Sequence, residues 1–251
     1  NNFENGKSCI GVYSYTYVTI KDNLVINPTW GCLFIDNSKY AIVSGNTVNV
    51  QVATGVTYGV IAFDNSTNIS INKNIIKDAN QRAIYIQHSK NISITDNIVD
   101  SNLEEGVNIH GSFYGVIANN DIYKSRVGIT TQTSYSFAIT GNTIVSSRYH
   151  GVDIYKCEDI TISSNLVQDS AIDATYSYDS INLNGISVRC TVIGNTICHT
   201  GLLGHRFGIS EYDNGTDYNN IAHNIVKGRF YRHVYAFGRN SMVESNIEHY
   251  V

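Results

Sequence analysis

His150, Asp153 and Tyr155 fall within the six residues "HGVDIY", so an imidazole, a carboxyl and a phenol are available for proton exchange in one short segment. Glycoside hydrolysis would use the carboxyl. It needs two such groups across the scissile bond, roughly 5 to 5.5 Å apart for retention and roughly 6.5 to 9.5 Å for inversion. Asp153 could be one of them, and Asp173 or Asp179 from the acidic stretch "QDSAIDATYSYDSINLN" (168–184), or Glu105, could be the other. Proton abstraction beside a carboxylate would use different parts: a cation, a base and an acid. There Arg148 or Arg189 could neutralise charge while His150, His110, Tyr155 or Tyr149 exchange protons. Hydrolysis is preferred, because Asp153 has several candidate acidic partners whereas the second set contains no Lys and no recognisable metal site. For each acid the plain alternative is a solvated or arginine-paired surface group.

Something must hold these residues in place, and a repeat in the sequence supplies it. Asn23, Asn46, Asn74, Asn97, Asn120, Asn142, Asn165, Asn195, Asn224 and Asn246 each follow a short alternation of β-branched and polar residues, mostly 22 or 23 positions apart and 28 to 30 at three places. A period in this range marks units that bury their apolar faces only by stacking on one another. In one unit, "EGVNIHG" (105–111), "GVIANN" (115–120) and "DIYKS" (121–125) read as three short strands joined by turns too tight for a helix. Three strands per turn, repeated about ten times, predict an all-β, right-handed parallel β-helix about 50 Å long at roughly 4.8 Å per coil. The repeats run through 1–251, so one domain is expected. The recurrent Asn is expected to take a left-handed backbone conformation at a corner and to stack as an amide ladder.

Composition agrees with such a rod. Only one of the 251 residues is Pro, as suits a chain that needs nearly every backbone N–H between coils. Five Cys without tight spacing do not suggest a disulfide framework or a metal site, and neither a cofactor motif nor a calcium cage is evident. The net charge of −4 gives no footprint for nucleic acid, and no apolar run approaches the roughly 18 residues of a membrane span. With neither an initial Met nor a signal peptide, the chain is expected to be an excised or mature piece of a longer polypeptide.

The pattern, worded typically in "HGVDIYKCEDITISSN" (150–165), resembles the pectin-lyase-like β-helix superfamily of polysaccharide lyases, polygalacturonase-like hydrolases, mannuronan epimerases and phage tailspikes. Departures are clear: there is no DPH-type epimerase motif and no paired-Asp plus GHG signature. The resemblance implies a polysaccharide ligand lying along the first strand of each coil, an extracellular setting (secreted, cell-surface or virion tail) and, for tailspikes, a homotrimer.

Small residues that open the first strands set a phase from which outward columns can be read. The early coils are expected to present Leu33, Ile35, Ile61 and Phe63, an apolar surface that another chain would cover. The middle coils present Asn108, His110, Gln132, Asp153, Tyr155 and Arg189, a polar strip with aromatic platforms, extended by Tyr212. Turns before the first strands carry Arg126, Arg148 and Arg206, whose planar donors suit carboxylate or phosphate on a ligand unless neighbouring acids pair with them. The insertion 168–184, with Tyr176, is expected to overhang Asp153, Tyr155 and Arg189. The expected function is polysaccharide binding and cleavage; the alternatives are a uronate lyase or epimerase, and a glycan-binding appendage or adhesin without catalysis.

Overall fold

The computed structural model describes residues 1–4, 10–28, 32–50, 58–172, 177–201, 205–213 and 215–249. Among these the chain forms short strands and no helix, wound into a right-handed parallel β-helix of about ten coils. Three parallel sheets of ten, ten and eleven strands run along it, and each coil contributes one strand to each sheet. No helix is long and apolar enough to cross a membrane.

The core follows from the two-residue period of the strands. On the first sheet Val60, Ile84, Val107, Ile129, Val152, Ile181 and Ile209 share one inward register and are fully buried. Each such side chain stabilises the rod by about 1.5 to 3 kcal/mol over an exposed one. β-Branched residues suit this stacking, since their stiff rotamers repeat from coil to coil. At the corner before the first sheet the backbones approach closely: a Cβ on Gly128 would lie 2.5 Å from the Gly151 carbonyl oxygen, and one on Gly151 2.7 Å from that of Ser180.

The Asn ladder runs unbroken from Asn23 to Asn246. Within it, the Asn120 amide donates to Asn142 Oδ1 and to the Ile94 carbonyl, each at 2.9 Å. Its own oxygen accepts from the side chain and the backbone N–H of Asn97 at 2.9 and 3.0 Å. Every polar atom of the amide is thereby used. The left-handed corner residue is not the Asn but its predecessor, for example Asp22, Gly45, Lys73, Asp96, Asn119 and Gly141, all with φ between 53° and 65°. The positive φ turns the chain, and the following Asn can then point inward. A second ladder, not anticipated from sequence, lines the corner after the first sheet. There Ser38, Ser89, Ser112, Cys157 and Ser187 donate backbone N–H groups to Ser66, Ser112, Ser134, Ser187 and Thr216 hydroxyls at 3.1 to 3.3 Å.

In the second coil the strand phase differs by one residue from the expectation. Leu33 and Ile35 point inward and are fully buried, while Phe34 and Asp36 point outward. Outward Phe34 and Ile61 are themselves covered, as Tyr13, Phe34, Phe63 and Tyr85 form a file with ring centroids 5.2 to 5.5 Å apart. Phe34 and Ile61 are thus covered within the chain, while Tyr13, Tyr15 and Tyr40 on the early coils remain exposed.

Candidate functional site

The floor of the first-sheet face is a row of outward residues on successive coils: Asn108, Thr130, Asp153, Asn182, Ser210 and Tyr235. Beside it runs a second row of Gln87, His110, Gln132, Tyr155 and Asn184. Strand alternation fixes both rows, since residues two apart share a face. Asn108, Thr130, Asn182 and Ser210 are buried beneath the larger side chains around them, whereas Asp153 is half-buried. Asp153 Oδ1 accepts from Asn182 Nδ2 at 2.8 Å. Tyr155 is exposed beside it, with Lys156 Nζ 5.1 Å from the ring centroid.

Asp179 opens the next first-sheet strand, Asp179–Asn184, and is fully buried. Arg206 grips both its oxygens, Nε at 2.8 Å and Nη2 at 2.6 Å, while Phe207 N–H and Ser210 Oγ add bonds at 3.2 and 2.5 Å. Burial works against the Arg206 charge, but the bonds to Asp179 and its negative charge outweigh it and raise the guanidinium pKa. Arg206 also lies over the exposed Tyr212 ring at 4.5 Å. Glu105 is similarly engaged, by Arg82 at 2.9 Å and Arg126 at 3.0 Å; Arg126 also pairs with Glu104 and lies 5.6 Å from the Tyr149 ring. Asp179 and Glu105 thus carry their counter-charges with them, and Arg126 and Arg206 are committed to protein carboxylates.

His150 Nδ1 meets the backbone N and O of Asp179 at 3.1 and 3.2 Å, so the ring is held whichever nitrogen carries the proton. Tyr178 packs edge-on against it at 5.2 Å and stacks on Tyr149 at 4.1 Å, making an aromatic ledge on the rim. His110 lies 5.6 Å from His88; burial first, then the charges of His88 and Arg82, push its pKa down. Arg148 is exposed at the corner before the Val152–Tyr155 strand.

The structure brings Asn108, His110, Gln132, Asp153 and Tyr155 onto one face, with His150, Arg126, Arg148, Arg206 and Tyr212 along or near its rim. Arg189 belongs elsewhere: it sits beyond the corner after the first sheet, paired with Asp159 at 2.9 Å and with Glu158. Asp173 and Tyr176 lie outside the described residues, as does the part of the insertion expected to overhang the groove. Sequence reading does not single out Asn182, Ser210, Asn184 or Tyr178 as site residues. Gly185, the nearest glycine, does not open that strand: the strand begins six residues earlier, and Ser180 occupies the small-residue position. The alternation in "DSINLN" (179–184) is the signal that finds Asn182 and Asn184.

Several solved structures share this architecture. The mannuronan C-5 epimerase AlgE6 A-module of Azotobacter vinelandii superposes with a TM-score of 0.62 at 14% identity, covering 98% of this chain and 80% of that one. An alginate lyase from Paenibacillus sp. gives 0.67 at 13% identity, covering 93% and 97%. Tailspike protein 2 of bacteriophage CBA120 gives 0.60 at 11% identity, covering 91% of this chain and 43% of the tailspike domain. At these identities the likeness is one of fold. No curated protein sequence matches the chain significantly. The family profile described as "Periplasmic copper-binding protein (NosD)" matches residues 43–197, more than half the chain and most of the regular coils, and the chain belongs to that β-helix family.

Proposed function

We propose that the chain binds a polysaccharide along its first-sheet face and cleaves it, with Asp153 exchanging a proton at the scissile bond. One observation carries this reading: Asp153 is a half-buried carboxyl in a file of amides and hydroxyls, on one strand with the exposed Tyr155, whereas Asp179 and Glu105 are locked to arginines. Amides and hydroxyls hydrogen-bond sugar hydroxyls, and exposed rings such as Tyr155 and Tyr212 offer faces for stacking. Because Arg82, Arg126 and Arg206 are neutralised by protein carboxylates, a neutral or weakly charged glycan suits the groove better than a polyuronate. Hydrolysis needs a second carboxyl, and with Asp179 and Glu105 engaged, Asp173 is the acid left for it. The fold likeness to an alginate lyase and mannuronan epimerases favours a second reading, proton abstraction by His150 or Tyr155. The family description, a periplasmic alginate epimerase of like fold and the phage tailspike fit a periplasmic or extracellular setting.

The family's description names copper. Copper sites draw on imidazole and on sulfur ligands gathered at one point. Among the described residues no three His, Cys, Asp or Glu side chains gather, and His88, His199 and His233 each meet a single carboxylate. The described side chains do not fit a copper centre, and no step is drawn through one.

The test is digestion of neutral and acidic polysaccharides, following reducing ends and the ultraviolet absorbance of unsaturated uronate together. Reducing ends alone mean hydrolysis, and both signals mean elimination. Asp153→Asn is expected to abolish cleavage and spare binding; cleavage retained by Asp153→Asn would overturn the assignment.

A further inference from the structure

Asp153 is joined to Asp179 by a file of three hydrogen-bond contacts spanning three coils. Asn182 Nδ2 lies 2.8 Å from Asp153 Oδ1, Ser210 Oγ 2.9 Å from Asn182 Oδ1, and the same Oγ 2.5 Å from Asp179 Oδ2. Each contact needs one proton between its heavy atoms, since two facing lone pairs repel at such distances. With both carboxyls ionised only two protons are available, one from the Asn182 amide and the single hydroxyl proton of Ser210. Asn182 and Ser210 are 2% and 0% exposed, so neither can turn to bulk solvent.

Two arrangements fill all three contacts, and each holds one more proton. In the first, Asp153 carries it and donates to Asn182 Oδ1 after a half-turn of the amide; Nδ2 then donates to Ser210, and Ser210 to Asp179. A half-turn merely exchanges the amide's oxygen and nitrogen. In the second, Asp179 carries it and every bond runs the other way. The oxygens of Asp179 already accept two bonds from Arg206 and one from Phe207 N–H, which suits a carboxylate and favours the first arrangement.

We propose that Asn182 and Ser210 are positioning residues that hold Asp153 as the proton-bearing acid of the groove. The inference rests on the reading of this groove as a glycan-cleaving site. In the step it serves, the proton passes from Asp153 to the departing glycosidic oxygen, which keeps the electron pair of the broken C–O bond. Water supplies the pair for the new bond at the anomeric carbon and gives its proton to a second carboxylate. As Asp153 becomes a carboxylate, Asn182 turns Nδ2 toward it, and the single Ser210 proton then serves either Asn182 Oδ1 or Asp179 but not both. With Asp179 ionised, the file is therefore complete only while Asp153 holds its proton, and loss of that proton leaves one contact unfilled. Of the neighbouring titratable and charged groups, the preceding strand Val127–Gln132 contributes none; His150, Tyr155, Lys156 and Cys157 lie on the same coil, Asp179 on the next, and Arg206 and Glu211 on the one after.

A neutron crystal structure of the deuterium-exchanged full chain reads the arrangement directly and needs no glycan. Expected are deuterium on Asp153 facing Asn182 Oδ1, Asn182 Nδ2 facing Ser210, and the Ser210 hydroxyl deuterium pointing at Asp179 Oδ2. A bare Asp153 facing Nδ2 would overturn the proposal. On whichever glycan is cut, Ser210→Ala should lower kcat about tenfold with KM unchanged and move the alkaline limb of its pH profile to lower pH. Ser210→Thr, which keeps the hydroxyl, should restore both; a limb that does not move in Ser210→Ala would also overturn it. If the neutron result holds but no glycan is cut, the relay stands and the cleavage reading fails.

Discussion

Asp179→Ala separates two roles that the sequence leaves open for this acid, reagent or strut. The substitution removes a carboxylate that four donors address: Arg206 through Nε and Nη2, the Phe207 N–H and the Ser210 hydroxyl. Asp179 is fully buried and the Arg206 side chain is only 18% exposed, so the guanidinium would be left without its counter-charge in a mostly dry place. Breaking a buried pair from one side costs about 3 to 5 kcal/mol. Arg206 retains some access to solvent and the Tyr212 ring beneath it, which places the expectation near the lower bound, about 3 kcal/mol. That is a large share of the roughly 5 to 15 kcal/mol that holds a typical domain together. Urea unfolding followed by circular dichroism and by tyrosine fluorescence would measure it, coincident transitions showing that the coils still unfold together. Replacing both partners, Asp179→Leu with Arg206→Met, should cost less than Asp179→Ala alone, because no charge is then orphaned. An Asp179→Ala protein within about 0.5 kcal/mol of the parent would refute the structural role. Lost cleavage in that stable protein would return Asp179 to the chemistry.

Other perturbations address the scaffold and its titrating groups. Asn120→Ala should destabilise by about 3 kcal/mol or more in the same unfolding assay, since the Asn97 side-chain and backbone donors and the Ile94 carbonyl all lose partners at about 1 to 3 kcal/mol each. Burial pushes the Cys190 thiol up to about 12, so at pH 8 it should resist alkylation in the native protein and react once unfolded, as mass spectrometry of labelled peptides would show. His110 binds its proton more weakly folded than unfolded, through burial and the charges of His88 and Arg82. Its contribution is therefore intact above the ordinary histidine range and is lost as pH falls from about 6.5 through the lower folded value, so His110→Gln should show a shallower stability loss between about pH 7 and 5.

The coil count, the three-strand unit and the Asn column were legible because a ladder needs the same residue type at every turn. Phase within a coil was less so. In "GCLFID" (31–36) apolar residues occupy both faces, because Phe34 joins an outward aromatic file, and alternation then gives no direction. The small residue before the first strand is required by close backbone approach, yet Ser180 meets that need as well as Gly does, and Gly185 instead serves a left-handed turn at φ 64°. That single substitution moved Arg189 into the expected groove and hid Asn182. The fate of the rim arginines depended on which coil each acid occupied, and register is a property of the wound chain rather than of local spacing.

The Asn ladder also gives the rod a polarity of its own. In every step the amide nitrogen donates toward the later coil and the oxygen accepts from the earlier one, from Asn23 to Asn246. Each amide carries a dipole of about 3.5 D, and head-to-tail alignment sums them as it does in an α-helix. The file thus acts as a buried electret, positive toward the later coils and negative toward the earlier ones. An asymmetric ligand laid along the axis would meet a field that distinguishes its two directions, even where the groove side chains do not.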